Sequence, residues 1–331
     1  MRYQYQRLTL LNHCVVSTDM SDTAILAEEL RKTFGDVVAV DHISLQVPRG
    51  TVLGLLGANG AGKTTMVRML TTVLQPDSGR GTVNGFDVLH QQQAVRRSIG
   101  LAGQYAAVDE NLTGRENLIL VGRLTHIGKA AARQRATELL HQFHLTDAGD
   151  RPVRTYSGGM RRRLDLGAAL VTHPPVLFLD EPTTGLDPAS RLDLWEVIET
   201  LVSDGTTVLL TTQYLEEADR LADNIVVIDK GLIAAEGTAK QLKSRLGDTV
   251  IEFEFASPQQ AVVVAELLGG TVAAGTIVRL LMGNCADTLR DALNRLAAAD
   301  ISPAHVALRE PSLDDVFLSL TGTNASNSGG N

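Results

Sequence analysis

The chain has 331 residues, a formal net charge of −8 and 44% hydrophobic residues, enough for one full-sized domain with a smaller unit beside it. The acidic balance argues against nucleic acid as the main partner, and two cysteines, Cys14 and Cys285, give no disulfide framework and suit a reducing compartment. The longest charge-free apolar run of the C-terminal third, residues 267–278, is too short to cross a bilayer, and "MRYQYQRLTLLNHCVVSTDM" lacks the apolar core of a secretory signal.

Residues 1–22 read as a polar leader. "AILAEELRKTFG" and "HISLQVPRG" read as the first strands of an antiparallel edge, closing at Pro48–Gly50. "TVLGLLG" (51–57) is a short apolar run suited to a buried parallel strand. "KTTMVRMLTTVL" (63–74) places Met66, Met69, Leu70 and Val73 at helical spacing. Between them "GANGAGKTT" meets G-x-x-x-x-G-K-[ST] at Gly57, Gly62, Lys63 and Thr64, with the strand before and the helix after that a phosphate-binding loop requires. Glycines let backbone N–H groups curl around phosphate at a helix N-terminus. Lys63 is expected to reach the β- and γ-phosphates, and the Thr64 hydroxyl to ligate Mg²⁺. The loop alone leaves kinases, GTPases, motors and transport ATPases open.

"GTVNGFDV" (81–88) carries turn glycines and reads as a hairpin. Residues 107–172 are mostly helical in pattern, with apolar stripes in "ENLILVGRLTHI" and "AAARQRATELLHQFHL". "PVLFLD" (175–180) reads as a buried strand and "RLDLWEVIETLVSDG" (191–205) as an amphipathic helix. Two further strands, 206–212 and 224–229, flank the helix "YLEEADRLA". This β–α–β alternation predicts a mainly parallel, doubly wound sheet. After residue 246 "TVIEFEF" alternates with Ile251, Phe253 and Phe255 on one face. Two helical segments and strands at 276–281 and 304–309 then give roughly β-α-β-β-α-β, in which acids outnumber arginines. "PSLDDVFLSLTG" (311–322) opens with a helix-start signal and aligns Leu313, Val316, Phe317 and Leu320, a face expected to pack on its own small domain or on a partner subunit. The expected organisation is a leader at 1–22, an α/β nucleotide-binding domain at 23–245 with a helical subdomain at about 107–172, a small α/β accessory domain at 246–320, and a disordered polar tail at 321–331.

A second motif narrows the class. "YSGGM" (156–160) runs straight into an arginine-rich helix. Ser157 is a good N-cap, and Gly158 and Gly159 allow close backbone approach, so this is a second anion-binding helix start. Arg161–Arg163 read as a solvated or phosphate-steering face. "VLFLDE" (176–181) then places Asp180 at a strand end, where it fits a Mg²⁺ carboxylate, and Glu181 beside it, where it fits a general base that orients water.

On these motifs residues 23–245 resemble the nucleotide-binding subunit of an ATP-binding-cassette (ABC) transporter, a P-loop NTPase fold. The resemblance implies ATP bound by Asn59, Gly60, Ala61, Gly62, Lys63, Thr64 and Thr65. Gln104 in "GLAGQY" takes the place of the Q-loop glutamine, near water and Mg²⁺, with Thr64 and Asp180 as the other Mg²⁺ residues. "YSGGM" resembles the signature, usually LSGGQ, whose Ser157, Gly158 and Gly159 meet nucleotide. "GLDP" (185–188) resembles the D-loop, with Asp187 at the nucleotide. Phe34 in "KTFG" falls where an aromatic stacks on adenine. Gln213 in "TTQYLEEAD" (211–219) stands where the family has its switch histidine, and Met160 where the signature ends in glutamine. With "YSGGMRRRLDL" and the ending "PSLDDVFLSLTG", these departures resemble the daunorubicin-resistance branch, whose members power export of drugs or lipids. The implied protein is an ATPase with Glu181 as base, peripheral at the cytoplasmic face of the membrane. It pairs with a second copy of itself and with a separate integral-membrane permease, which docks along residues 104–127. An importer subunit and a soluble ABC ATPase of DNA repair or translation remain as alternatives. So does a non-hydrolysing switch, against which Glu181 argues.

Overall fold

The computed structural model describes residues 22–103, 108–244, 250–281, 285–309, 312–313 and 316–317. β1 (Thr23–Phe34) and β2 (Val37–Pro48) form a long antiparallel hairpin. β3 (Val52–Leu56) is buried along its whole length and leads through the glycine-rich loop into α1 (Lys63–Leu70). β4 (Ser78–Val83) and β5 (Phe86–Asp87) make the hairpin expected near residues 81–88. α2 (Gln92–Ser98) and β6 (Ile99–Ala102) follow. The helical stretch contains α3 (Gly114–Leu124), α4 (Lys129–Gln142) and α5 (Gly158–Ala169). Then come β7 (Val176–Asp180), α6 (Pro188–Ser203), β8 (Thr207–Thr212), α7 (Leu215–Leu221), β9 (Asn224–Asp229), β10 (Leu232–Gly237) and α8 (Ala239–Ser244).

The main sheet has six strands in the order β10-β9-β3-β8-β7-β6. Five pair in parallel, and β10 closes one edge antiparallel to β9. Because β3, β8 and β7 are neighbours, the loops after their C-terminal ends meet at one end of the sheet, where parallel α/β sheets hold ligands. β1 and β2, read from the sequence as an antiparallel edge, join β4 and β5 in a second sheet, β2-β1-β4-β5. Period-two patterning identifies strands without saying which sheet accepts them.

β7 shows how the layers are assembled. Val176 and Phe178 face the cluster that holds α1 and the antiparallel sheet, with Met66, Met69, Leu70, Ile25 and Val40. Leu177 and Leu179 face the opposite cluster, with Leu118, Phe143, Leu164, Trp195 and Ile198 from the helices. A strand apolar on every residue is the expected signature of burial on both faces. α3 starts with a capping box: Thr113 Oγ1 accepts from Glu116 N at 3.1 Å, and the Glu116 carboxylate accepts from Thr113 N at 2.8 Å.

β11 (Val250–Glu254), α9 (Pro258–Leu268), β12 (Thr271–Ala274), β13 (Ile277–Leu281), α10 (Cys285–Ala298) and β14 (His305–Arg309) reproduce the β-α-β-β-α-β order. Their sheet is antiparallel, β12-β13-β11-β14. Ile251, Phe253 and Phe255 pack on Ala261, Val264 and Leu268 of α9 and on Ala292 and Leu296 of α10. Leu313 and Val316 do not join this core. They pack with Leu56, Ala218, Ile225, Val227, Ala235 and Leu242, the flank of the main sheet of their own chain. An amphipathic pattern fixes which face is buried but not what buries it, so the expected placement on the small domain or a second subunit is corrected here; Leu320 lies outside the described residues. Among the described residues no helix is long and apolar enough to cross a membrane.

Candidate active site

The loop between β3 and α1 encloses a cavity of about 240 Å³ lined by Ala39, Asn59, Gly60, Gly62, Lys63, Thr64, Thr65 and Glu181. Gly62 has φ 114°, and a Cβ there would strike the Ala39 carbonyl of β2, so the position accepts glycine only. Ala61 is buried under the loop. Lys63 is 3% exposed. Its Nζ donates to Gly57 O at 2.7 Å and Ala58 O at 3.1 Å, and stands 3.6 Å from Glu181 Oε1. Burial pushes the Lys63 ammonium below its ordinary range, while Glu181 and Asp180 pull it back up.

The two acids are held by neighbouring strand ends. Thr64 Oγ1 donates to Asp180 Oδ1 at 3.1 Å, and Thr211 Oγ1 of β8 donates to the same oxygen at 2.6 Å. Glu181 has φ 50°, a left-handed backbone that costs a non-glycine residue about 1–3 kcal/mol. Its N–H is fixed to Thr211 by O at 3.1 Å and Oγ1 at 3.0 Å, and its Oε2 accepts from Thr184 Oγ1 at 3.3 Å. The result is a buried cation, two carboxylates and a hydroxyl at a helix N-terminus, an arrangement able to take phosphate, a hard cation and a water molecule.

Other expected residues surround this centre. Phe34 is 50% exposed at the β1–β2 turn, with Lys32 Nζ 5.8 Å from its ring centroid. The hairpin is fixed there by Asp77, whose carboxylate accepts from Lys32 at 2.7 Å and from Thr33 N at 2.7 Å, contacts that hold it far below the usual carboxylate range. Gln213 is half-buried at the bend after β8. Gln104 lies outside the described residues.

Ser157 caps α5, its Oγ accepting from Met160 N at 3.3 Å. Ser157 and Gly158 are exposed, whereas Gly159 is buried where a Cβ would strike Ser190 Oγ at the start of α6. Asp187 caps α6, accepting from Ser190 N at 3.0 Å and Ser190 Oγ at 2.7 Å. Those two bonds lower its carboxyl below the usual range. None of Ser157, Gly158, Gly159 and Asp187 lines the cavity around Lys63. The chain therefore carries two anion-accepting helix starts at separate places.

Arg161–Arg163 are corrected. Arg162 is not a solvated group: its Nε donates to Pro182 O at 2.7 Å, its two NH groups reach Gly103 O and Asp180 O, and Asp165 pairs with it at 3.5 Å. It ties the signature helix to the ends of β6 and β7. Arg161 pairs with Glu110 at 2.7 Å and Arg163 with Asp193 at 3.7 Å. Arginine is so often a surface residue that three in a row gave no signal of this. Thr211 was missed as well, because a threonine in a strand reads as β-propensity alone.

A protein-family model described as ABC transporter matches residues 40–184. The chain is 54% identical over 309 residues to the daunorubicin resistance ATP-binding protein DrrA3 of Streptomyces coeruleorubidus, covering 92% of this chain and 97% of that one. It is 47% identical over 319 residues to the doxorubicin resistance ATP-binding protein DrrA of Mycobacterium tuberculosis, covering 91% and 94%. A solved ATP-binding subunit of an ABC transporter aligns with a TM-score of 0.62 at 26% identity, over 68% of this chain and 93% of its own.

Proposed function

Since the chain belongs to the ATP-binding subunits of ABC transporters, an ATPase family, we propose that it powers export of drugs or lipid-like compounds through a separate membrane permease. The observation that carries this is near full-length likeness to proteins named for daunorubicin and doxorubicin resistance. The neighbouring Thr64 hydroxyl and Asp180 carboxylate, 3.1 Å apart, are hard oxygen ligands suited to Mg²⁺, which takes few protein ligands beside phosphate and water. Held there, Mg²⁺ would supply positive charge to offset that of the phosphates.

In this reading Lys63 exchanges its two loop carbonyls for phosphate oxygens. Glu181, freed from Lys63, orients the attacking water and takes its proton. Gln213 donates a hydrogen bond to the γ-phosphate, and Phe34 stacks on adenine. Ser157–Gly159 and Asp187 reach nucleotide from a second copy of the chain, since their own Lys63 cavity lies elsewhere. That makes a head-to-tail homodimer with two equivalent sites. The role of Gln104 beside water and Mg²⁺ rests on the family resemblance.

The permease contact is assigned to a groove of about 870 Å³ between α2, β6, α3 and α5, lined by Arg96, Leu101, Val121, Leu124, Ile127 and Ala169 among others. Leu101 and Leu124 are exposed at it, which suits a short amphipathic helix. The subunit then sits at the cytoplasmic face of the membrane through that partner. Inverted membrane vesicles carrying the chain and its permease should accumulate daunorubicin with ATP, and should fail to with Glu181→Gln. Lack of any co-purifying membrane protein, with no drug accumulation, would overturn export.

A further inference from the structure

α7 begins just after the Gln213 bend and lies along α6, the helix capped by Asp187. Contacts at three levels join the two helices at helical spacing. The Arg191 guanidinium lies 5.6 Å from the Tyr214 ring centroid. Trp195 Nε1 donates to Glu217 Oε1 at 3.1 Å. Arg220 lies 5.2 Å from the Trp195 ring centroid and pairs with Glu199 at 2.8 Å. The outer two contacts reach solvent, but in the middle one Trp195 is 2% exposed and Glu217 0%.

A carboxyl group at full burial is expensive, and an apolar side chain would fill the same space at no such cost. What distinguishes Glu217 is what it touches. Besides the hydrogen bond from Trp195, the nearby hydroxyls of Thr212 and Thr183 and the Arg162 guanidinium of α5 favour its ionised form. Thr212 immediately precedes Gln213. Thr183 follows Glu181 by two residues. Glu217 Oε2 and Thr183 Oγ1 are both buried without a hydrogen-bond partner. Desolvation holds the carboxyl above the usual range and favours the form that carries a proton to donate.

We propose that Glu217 is a positioning residue for hydrolysis, pinning the Gln213 bend and the turn after Glu181 to α6, so that the Asp187 end of α6 and the γ-phosphate sensor move as one body. The inference rests on the reading of Gln213 as that sensor. Glu217 itself meets neither nucleotide nor water.

The test is a double-mutant cycle in the full chain, reading kcat and KM for ATP in wild type, Glu217→Gln, Glu217→Ala, Gln213→Ala and the double alanine variant. Glu217→Gln keeps an acceptor for Trp195 and a donor for the threonines, so kcat should stay within about threefold. Glu217→Ala should lower kcat by about tenfold with KM for ATP nearly unchanged, the mark of an interaction that matters in the transition state. Added to Gln213→Ala, it should cost less than about twofold more, because both changes break one chain of contacts. Full additivity, with Gln213→Ala itself impaired, overturns the positioning role and leaves the sensor reading standing. A silent Gln213→Ala overturns both. Equal losses in Glu217→Gln and Glu217→Ala overturn the hydrogen-bond argument. If Glu217→Ala does not fold, Trp195→Phe removes the donor of the same contact and takes its place in the cycle, with the same outcomes.

Discussion

The main sheet and the C-terminal sheet bury different kinds of groups. Around the first, Lys63, Asp165, Asp180, Glu181 and Glu217 are all buried, and so are Thr183, Thr211 and Thr212. Around the second, the buried side chains among the described residues are apolar. Its charged groups Glu252, Arg279 and Arg309 pair instead at the surface, at 2.7 and 3.4 Å. Burying ionised groups costs roughly several kcal/mol each after relaxation, so a fold keeps them where chemistry needs them. The buried charges thus gather around the first sheet, while the second keeps an apolar core among the described residues.

The largest effect expected from breaking this contrast is at Glu181. Glu181→Gln should slow ATP hydrolysis on the order of 10²–10⁴-fold, the range for loss of a general base, while ATP still binds. It also removes a counter-charge from Lys63, 3.6 Å away and 3% exposed. Added ATP should therefore raise the thermal midpoint of the variant more than that of wild type, because phosphate restores the missing negative charge. Lys63→Ala should lose nucleotide binding. Steady-state hydrolysis and nucleotide-dependent melting read both, and wild-type turnover in Glu181→Gln would place the base elsewhere.

The reciprocal change lies in the C-terminal core. Phe253 is fully buried there, and Phe253→Ala should destabilise the protein by about 3–5 kcal/mol. ATP affinity of the folded fraction should not change. Denaturant unfolding followed with and without nucleotide separates the two quantities. A loss of affinity equal to the loss of stability would mean the two regions are energetically one.

Much of the main site was legible because phosphate chemistry forces sequence-local solutions. A loop that wraps phosphate must be glycine-rich and lie between a strand and a helix, so Gly57–Thr65 announces itself. The pins that hold the site are not local. Thr211 meets Asp180 from 31 residues away and Arg162 meets Gly103 from 59 away, and no spacing rule links such pairs. The same limit applied at the groove. Arg115 and Glu116 fall within residues 104–127, the stretch expected to dock the permease. In the structure Glu116 belongs to the α3 capping box and Arg115 pairs with Asp150 at 2.8 Å, so reversing either would damage the helix. Leu124, 68% exposed at the groove, is the cleaner probe. Leu124→Glu should reduce permease-stimulated hydrolysis by about tenfold if it prevents docking and spare basal hydrolysis, measured with and without the partner.

A smaller effect tests whether buried acids in the first region are tuned. Burial raises Glu217 above the usual carboxylate range, with Thr212, Trp195, Thr183 and Arg162 opposing it. The folded state then holds that proton more tightly than the unfolded chain. The associated stability is fully present below the unfolded value and is lost as pH rises through the folded one. Every tenfold gain in proton affinity on folding corresponds to about 1.4 kcal/mol. Glu217→Gln cannot titrate, so the stability of wild type relative to this variant should decline across that window and level off above it. Equilibrium unfolding of both proteins over a pH series measures the difference directly, and a flat difference would mean that folding leaves the proton affinity of this carboxyl unchanged.

The smallest effect marks the limit of the comparison, because not every buried polar group near the site serves the reaction. Tyr156 opens the "YSGGM" motif where the family pattern has leucine. Its ring is buried in the helical cluster, and its hydroxyl donates to Ala148 O at 2.7 Å. Arg151 lies 5.9 Å from the ring centroid. The phenol therefore anchors the segment before the signature helix to Ala148, beyond the end of α4. Tyr156→Phe keeps the packing and removes one hydrogen bond, while the Ala148 carbonyl still accepts from Arg151 N at 2.9 Å, so the change should cost about 1 kcal/mol of stability at most. Hydrolysis and its dependence on ATP should stay within about twofold of wild type, since Ser157 still caps α5 through Met160 N. A drop in kcat well beyond the stability loss would show that the tyrosine sets the angle of the signature helix, and would extend the functional class of buried polar groups to the helical layer.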